Sequence, residues 1–225
     1  MASTQVNERI LLEAGDAGDP GLVRRLVEAP AGAAFDGVAG AGGELWFVIA
    51  GSGRLDCDGG AALEFGADFG LLVPPGLSYR AQADGETGLR LDVVVLPSSA
   101  AMEGTLSPLA RELAGCAVEI TGDRHFRVLF GPGSDCSVAT QFVGEIPPGR
   151  APLHSHPYDE TVLVLAGEGT LHLGGLDEET APLSPGTCTH LPPGRPHCLE
   201  NTGTTTLRVL GVFHPADSPA SKLPS

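Results

Sequence analysis

One stretch constrains this chain more than any other: GRAPLHSHPYDETVLVLAGEGTLHL from Gly149, followed after a loop by SPGTCTHLPPGRPHCLEN ending at Asn201. It sets His154, His156 and Glu160 in one short segment and His197 in a second, proline- and glycine-flanked one. Alternate residues of a β-strand share a face, so His154 and His156 are placed to point at one spot. Glu160 follows a Pro-containing turn and opens an apolar run, TVLVLA, that reads as a buried strand. His197 sits on another strand, entered by a tight PPG turn. Three imidazoles and a carboxylate converging inside a barrel form a site for a divalent transition metal with coordination positions left open. Without such a partner, each of these groups would carry a desolvation penalty of several kcal/mol in an apolar barrel. A metal removes that penalty by binding neutral imidazole and ionised carboxylate.

The bulk properties bound what such a site can serve. At 225 residues the chain suffices for two compact domains or one large β domain. Its 32 glycines and 19 prolines punctuate short apolar runs, as in many-stranded β folds. A formal charge of −15 argues against nucleic acid and anionic membranes as partners, since both need a basic face. No apolar run approaches the roughly 18 residues of a membrane span. The opening MASTQVNERILLEAGD lacks a basic-then-apolar leader pattern, and Cys57, Cys116, Cys136, Cys188 and Cys198 are odd in number, so free thiols in a reducing cytoplasm are expected.

The chain is written twice. ELWFVIAGSG at Glu44 aligns with ETVLVLAGEG at Glu160, an offset of 116, and LVPPGLSY at Leu72 aligns with HLPPGRPH at His190, an offset of 118. Such repetition of a whole unit points to two copies of one barrel. In the first copy Val38, Gly40 and Tyr79 fall where the second has His154, His156 and His197, and only Glu44 persists. A single carboxylate is too few donors for a transition metal. Residues 1–20 read as a loose arm or an edge strand laid on another domain or subunit. Ser107 and the following PLAREL read as a capped helix of one to two turns that ends at Gly115 and serves as linker. The last residues, HPADSPASKLPS, read as a tail.

These residues resemble the two signature motifs of the cupin superfamily. The first is matched by His154, His156, Glu160 and Gly167, with three residues between the second His and the Glu and six between Glu and Gly; Gly149 lies one residue closer to the first His than is usual. The second is matched by Gly186, Pro192, Gly194, His197 and Asn201. The resemblance implies an all-β fold of two tandem cupin barrels of jelly-roll type joined by a short helical linker. Residues 1–100 would be a barrel that has lost its ligands, 101–120 the linker, and 121–225 the metal-binding barrel. It implies one divalent transition metal per chain (Fe, Mn, Zn or Ni) on His154, His156, Glu160 and His197, a small-molecule substrate and a homodimer.

Around that site His190 is a candidate proton carrier or an ordinary hydrogen-bonded histidine. Arg150, four residues before His154, is on strand parity an anchor for a substrate carboxylate or else a solvated charge. Arg195 in the PPGRPH turn, His172 after Gly169, and Cys188, which shares the parity of His190, are lesser candidates; Cys198 should point out of the cavity, and Tyr158 shapes a turn. Three functions stay open. One is a redox-neutral isomerase, epimerase, cyclase, lyase or hydrolase acting on a small oxygen-rich metabolite that bears a carboxylate or carbonyl. The second is an Fe(II) dioxygenase, and the third a non-catalytic sensor.

Overall fold

A computed structural model describes residues 5–12, 21–57, 60, 62–98, 107–133, 135–175 and 178–220. Most of the expected N-terminal arm, the first part of the expected linker and the last five residues of the tail lie outside these. The chain divides into two compact units, Met1–Gly115 and Cys116–Ser225. Both are built of β-strands; no α-helix occurs among the described residues, and none is long and apolar enough to cross a membrane. No disulfide forms among the five cysteines.

In the first unit the 14-residue strand Glu44–Cys57 is the spine. Its first half pairs with Leu89–Val95 and Phe69–Val73, its second half with Leu63–Gly66 and Ser78–Ala83. The strand therefore belongs to both walls of the barrel, and Trp46, Val48, Leu55, Leu71, Leu91 and Val93 fill the interior between them. Where it passes from one wall to the other, the register shifts between Val48 and Ala50 beside Gly51, whose φ is +84°. A Cβ at Gly51 would sit 2.1 Å from the Gly88 carbonyl oxygen, so only glycine passes there. The second unit repeats the device: the register shifts between Val164 and Ala166, Gly167 has φ +86°, and a Cβ there would lie 2.7 Å from the Thr206 carbonyl oxygen. The AGSG and AGEG of the two repeats thus mark the same corner.

The second unit has a six-stranded sheet (Glu119–Thr121, Arg124–Phe130, Thr140–Ile146, Leu207–His214, Asp159–Ala166, Cys188–Leu191) and a four-stranded one (Gly149–Arg150, His197–Asn201, Gly169–Leu173, Glu179–Leu183). Val162, Val164, Leu171, Leu199, Leu207 and Val209 form the core between them. Thr161 and Leu163, on the opposite face of TVLVLA, are buried too, so that strand is covered on both sides as its composition suggests.

Two expectations are corrected. The Ser107–Gly115 stretch is not a helix: Leu109–Glu112 is a strand paired with Phe69–Leu72, and only Leu113–Gly115 turns, as a 3₁₀ helix tied by Leu113 N–H to the Asp68 carbonyl at 2.9 Å. A helix of one or two turns is marginal alone, whereas the open edge of Phe69–Val73 offers it a full set of backbone partners. The N-terminal arm, where described, is the edge strand Asn7–Leu12, added to Val23–Ala29 of its own unit.

On the face of Val23–Ala29 away from the barrel interior lies an ion pair with both partners wholly buried. Arg24 Nε and Nη2 donate to Asp92 at 2.7 and 3.0 Å. Removing one partner leaves a buried, uncompensated charge. Arg24→Met or Asp92→Asn alone should cost about 3–5 kcal/mol in denaturant unfolding of the chain, and Arg24→Met combined with Asp92→Leu should recover most of it. A loss in the double variant equal to the sum of the two single losses would show that the pair contributes nothing as a pair.

Candidate metal centre

The segment before Asp159 leaves the sheet and crosses the barrel, where His154 forms an isolated bridge with His197: His154 N–H donates to the His197 carbonyl at 3.1 Å and His197 N–H to the His154 carbonyl at 2.7 Å. Gly194 N–H donates to the His156 carbonyl at 2.7 Å, a second tie between the same two segments. The imidazoles are thereby gathered, with ring centres 4.6 Å (His154–His197), 4.8 Å (His154–His156) and 5.1 Å (His156–His197) apart. Their ligating nitrogens lie within 4.8 Å of one another, the one such cluster of three or more potential metal donors among the described residues. Glu160, at the head of its strand, brings Oε2 to 3.5 Å from His156 Nε2 and 3.7 Å from His197 Nε2.

The far side of each ring fixes its tautomer. His197 Nδ1 lies 2.9 Å from the Arg195 carbonyl and His154 Nδ1 3.0 Å from the Pro152 carbonyl; a carbonyl only accepts, so each Nδ1 carries the proton. His156 Nδ1 lies 3.0 Å from the Tyr158 hydroxyl, which itself donates to the Ser218 carbonyl at 3.3 Å, so this Nδ1 donates as well. The Nε2 lone pairs are left facing one another and Glu160. Among them His197 Nε2 is buried with no hydrogen-bond partner.

Burial pushes the Glu160 carboxyl up to about 8 against the pull of Arg124, and burial lowers the His197 imidazole. Buried lone pairs turned toward a buried carboxylate lack only a cation between them. The donor set fits a divalent transition metal, with each imidazole oriented from behind as metal-ligating histidines are.

A cavity of about 80 Å³ opens on this cluster. Its walls are largely apolar, including Phe126, Phe142, Ile146, Leu199 and Phe213, with Arg124 and His125 from the first long strand of the unit. The C-terminal residues are not a loose tail where described: Thr140 Oγ1 donates to the Asp217 carbonyl at 2.7 Å, Tyr158 holds Ser218, and Pro219 lines the cavity.

Several candidates stand elsewhere. Leu191 is the cross-strand partner of Glu160 and lines the cavity, so its neighbour His190 points the other way and lies 2.8 Å from Asp159 Oδ1. Cys188 shares that outward parity and does not line the cavity. Arg150 is exposed and pairs with Glu200 at 2.8 Å, as does His172 from the same side. Strand parity fails for Arg150 because Gly149 has φ +134° and residues 151–153 are not strand, so alternation does not carry through to His154. Arg195 pairs with Glu179. Cys198 points outward as expected, its thiol donating to the Ala151 carbonyl at 3.0 Å. Tyr158 does more than shape a turn, since its hydroxyl orients His156. Arg124 and His125 were not foreseen from the sequence.

In the first unit Glu44 is also buried, but its partners are organic. Trp46 Nε1 donates to Oε2 at 2.7 Å, Arg25 Nη2 to Oε1 at 3.3 Å and Tyr79 to Oε2 at 3.5 Å. Val38, at the position of His154, is 64% exposed. A guanidinium supplies the positive charge there.

Residues 142–213 match the family model for the cupin domain, Cupin_2. Residues 142–213 are a cupin domain. Among solved structures, a Cupin 2 conserved barrel domain protein from Leptotrichia buccalis aligns with TM-score 0.64 and 18% identity over 95% of this chain and 91% of that one. A mutant of Bacillus subtilis oxalate decarboxylase aligns with TM-score 0.73 and 16% identity over 90% of this chain and 70% of that one. The formate complex of Lactobacillus farciminis oxalate decarboxylase gives 0.72 and 16% over 88% and 78%. At such identities the likeness is one of fold. No curated protein matches the sequence.

If Tyr158 orients a ligand of the cupin domain, Tyr158→Phe should leave the fold intact and weaken metal binding about 10- to 100-fold in competition with a chelator. Unchanged affinity would reduce Tyr158 to a packing role.

Proposed function

We propose that the cupin domain is a metal-dependent enzyme acting on a small oxygen-rich metabolite that bears a carboxylate or carbonyl, by redox-neutral chemistry of the isomerase, epimerase, cyclase or lyase type. The observation that carries this reading is the buried, unpartnered Nε2 of His197, turned with two other imidazoles and Glu160 into a small apolar cavity. His154, His156, Glu160 and His197 would hold the ion. When bound, it would supply a Lewis acid that polarises a substrate oxygen and stabilises an enolate-like charge.

The chain's own side chains do the rest. Phe126, Phe142 and Phe213 keep bulk water from the reacting groups and so strengthen every electrostatic contact inside. His125 and Glu145 are cross-strand partners, exposed on the strand face opposite Phe126 and Phe142, that border the same cavity and exchange protons with solvent at its edge. His190, facing Asp159, takes no part. Two of the structural neighbours support a small substrate: they are named oxalate decarboxylases, and one is a formate complex.

An Fe(II) dioxygenase would use the same four residues and differ in consuming O₂; a sensor would bind without turnover. The test is to incubate metal-loaded protein with a panel of two- to six-carbon hydroxy, keto and dicarboxylic acids under nitrogen and follow each by NMR. The expected result is conversion of one class without oxygen, abolished by His197→Ala. Conversion only in air, with stoichiometric O₂ uptake, would establish the dioxygenase instead. Saturable binding with no conversion in either atmosphere would establish the sensor.

A further inference from the structure

Arg124 is the one arginine or lysine lining the cavity of the cupin domain among the described residues. It lies two residues before Phe126 on one strand and so shares the face of that core ring. A guanidinium has five N–H donors, yet the one hydrogen bond Arg124 makes is a long one, Nη2 to the Leu199 carbonyl at 3.4 Å, and it forms no ion pair among the described residues. The other arginines near this end of the barrel are neutralised outside the cavity, Arg150 by Glu200 and Arg195 by Glu179. Arg124 is half-buried and close enough to Glu160 to oppose the rise of its pKa.

Charge balance then decides the ligand, granted the metal reading above. With neutral imidazoles, a divalent cation, the Glu160 carboxylate and the Arg124 guanidinium sum to a formal +2 in an apolar enclosure, and counting the exposed Glu145 carboxylate at its edge still leaves +1. That excess is costly unless the occupant is an anion. The forked donors of an arginine match a carboxylate in two parallel hydrogen bonds. The cavity of about 80 Å³ takes a small molecule. We infer that Arg124 determines specificity by gripping a carboxylate of a small substrate whose other end meets the cluster of His154, His156, Glu160 and His197.

The experiment uses the full chain loaded with one equivalent of Mn(II) and read by calorimetry. Metal affinity is measured first by chelator competition in wild type, Arg124→Met and Arg124→Lys; it should be equal or tighter in Arg124→Met, because loss of a neighbouring cation favours a cation at Glu160. A wild type that holds no metal at this step fails the reading of the site itself, and the anchor with it. Loaded protein is then titrated with formate, acetate, oxalate and malonate, and with oxamide as a neutral match to oxalate. Wild type should bind at least one of the carboxylates saturably and oxamide far more weakly. Arg124→Met should lose about 10- to 100-fold in carboxylate affinity, Arg124→Lys should recover part of it, and Arg150→Ala should change nothing. Carboxylate affinity undiminished in Arg124→Met would overturn the inference. So would oxamide binding as tightly as oxalate, an arm that needs no variant, or no carboxylate binding to metal-loaded wild type.

Discussion

Two backbone hydrogen bonds between His154 and His197, at 3.1 and 2.7 Å, hold the centre of the cupin domain together. They join two stretches that are more than forty residues apart in sequence, and nothing about either stretch alone would make a site. Around the bridge each ring is fixed from behind by a carbonyl or by Tyr158, so that three lone pairs and a carboxylate share one small volume. Preorganisation of this kind means the ligands need not be gathered when an ion arrives, and the cost of bringing them together is met by folding of the barrel.

The two units answer one problem in two ways. Each carries a buried glutamate, Glu44 or Glu160, in the first two residues of its central strand, in a barrel that turns its corner at a glycine with positive φ. A buried carboxylate needs a counterpart. In the first unit Arg25, Trp46 and Tyr79 provide it, and the result is a plugged, self-sufficient core. In the second no arginine or lysine pairs with Glu160 at ion-pair distance among the described residues; its near neighbours are His156 and His197, one of them carrying a lone pair with no partner. The same fold is thus closed by an internal cation in one copy and open to an external one in the other.

Much of this was legible in the sequence, for a physical reason. Motif spacing reports on strands and tight turns, where side-chain direction follows from residue number, and His154, His156, Glu160 and His197 all sit on such elements or beside them. The doubled AGxG, in the sequence only a sign of repetition, lies at the barrel corner, where close backbone approach excludes every residue but glycine. Parity misled where it was carried across an interruption: Arg150 lies beyond three non-strand residues and a glycine at φ +134°. His190 faces outward because Leu191, not His190, is the register partner of Glu160, and register is a property of the sheet rather than of either strand. The Leu109–Glu112 segment became a strand because an edge elsewhere in the unit was open to it. Arg124 had no sequence signal at all: it enters the cavity from a strand that carries no motif, and its one hydrogen bond spans 75 residues.

The most direct test of the account is to locate the ion. Crystals of the full chain grown with Mn(II), Zn(II) or Ni(II) and measured on both sides of the metal's absorption edge should show one anomalous peak per chain. That peak should lie about 2.0–2.2 Å from Nε2 of His154, His156 and His197 and from a carboxylate oxygen of Glu160. A peak beside Glu44, or none between the three imidazoles at saturating metal, would contradict it.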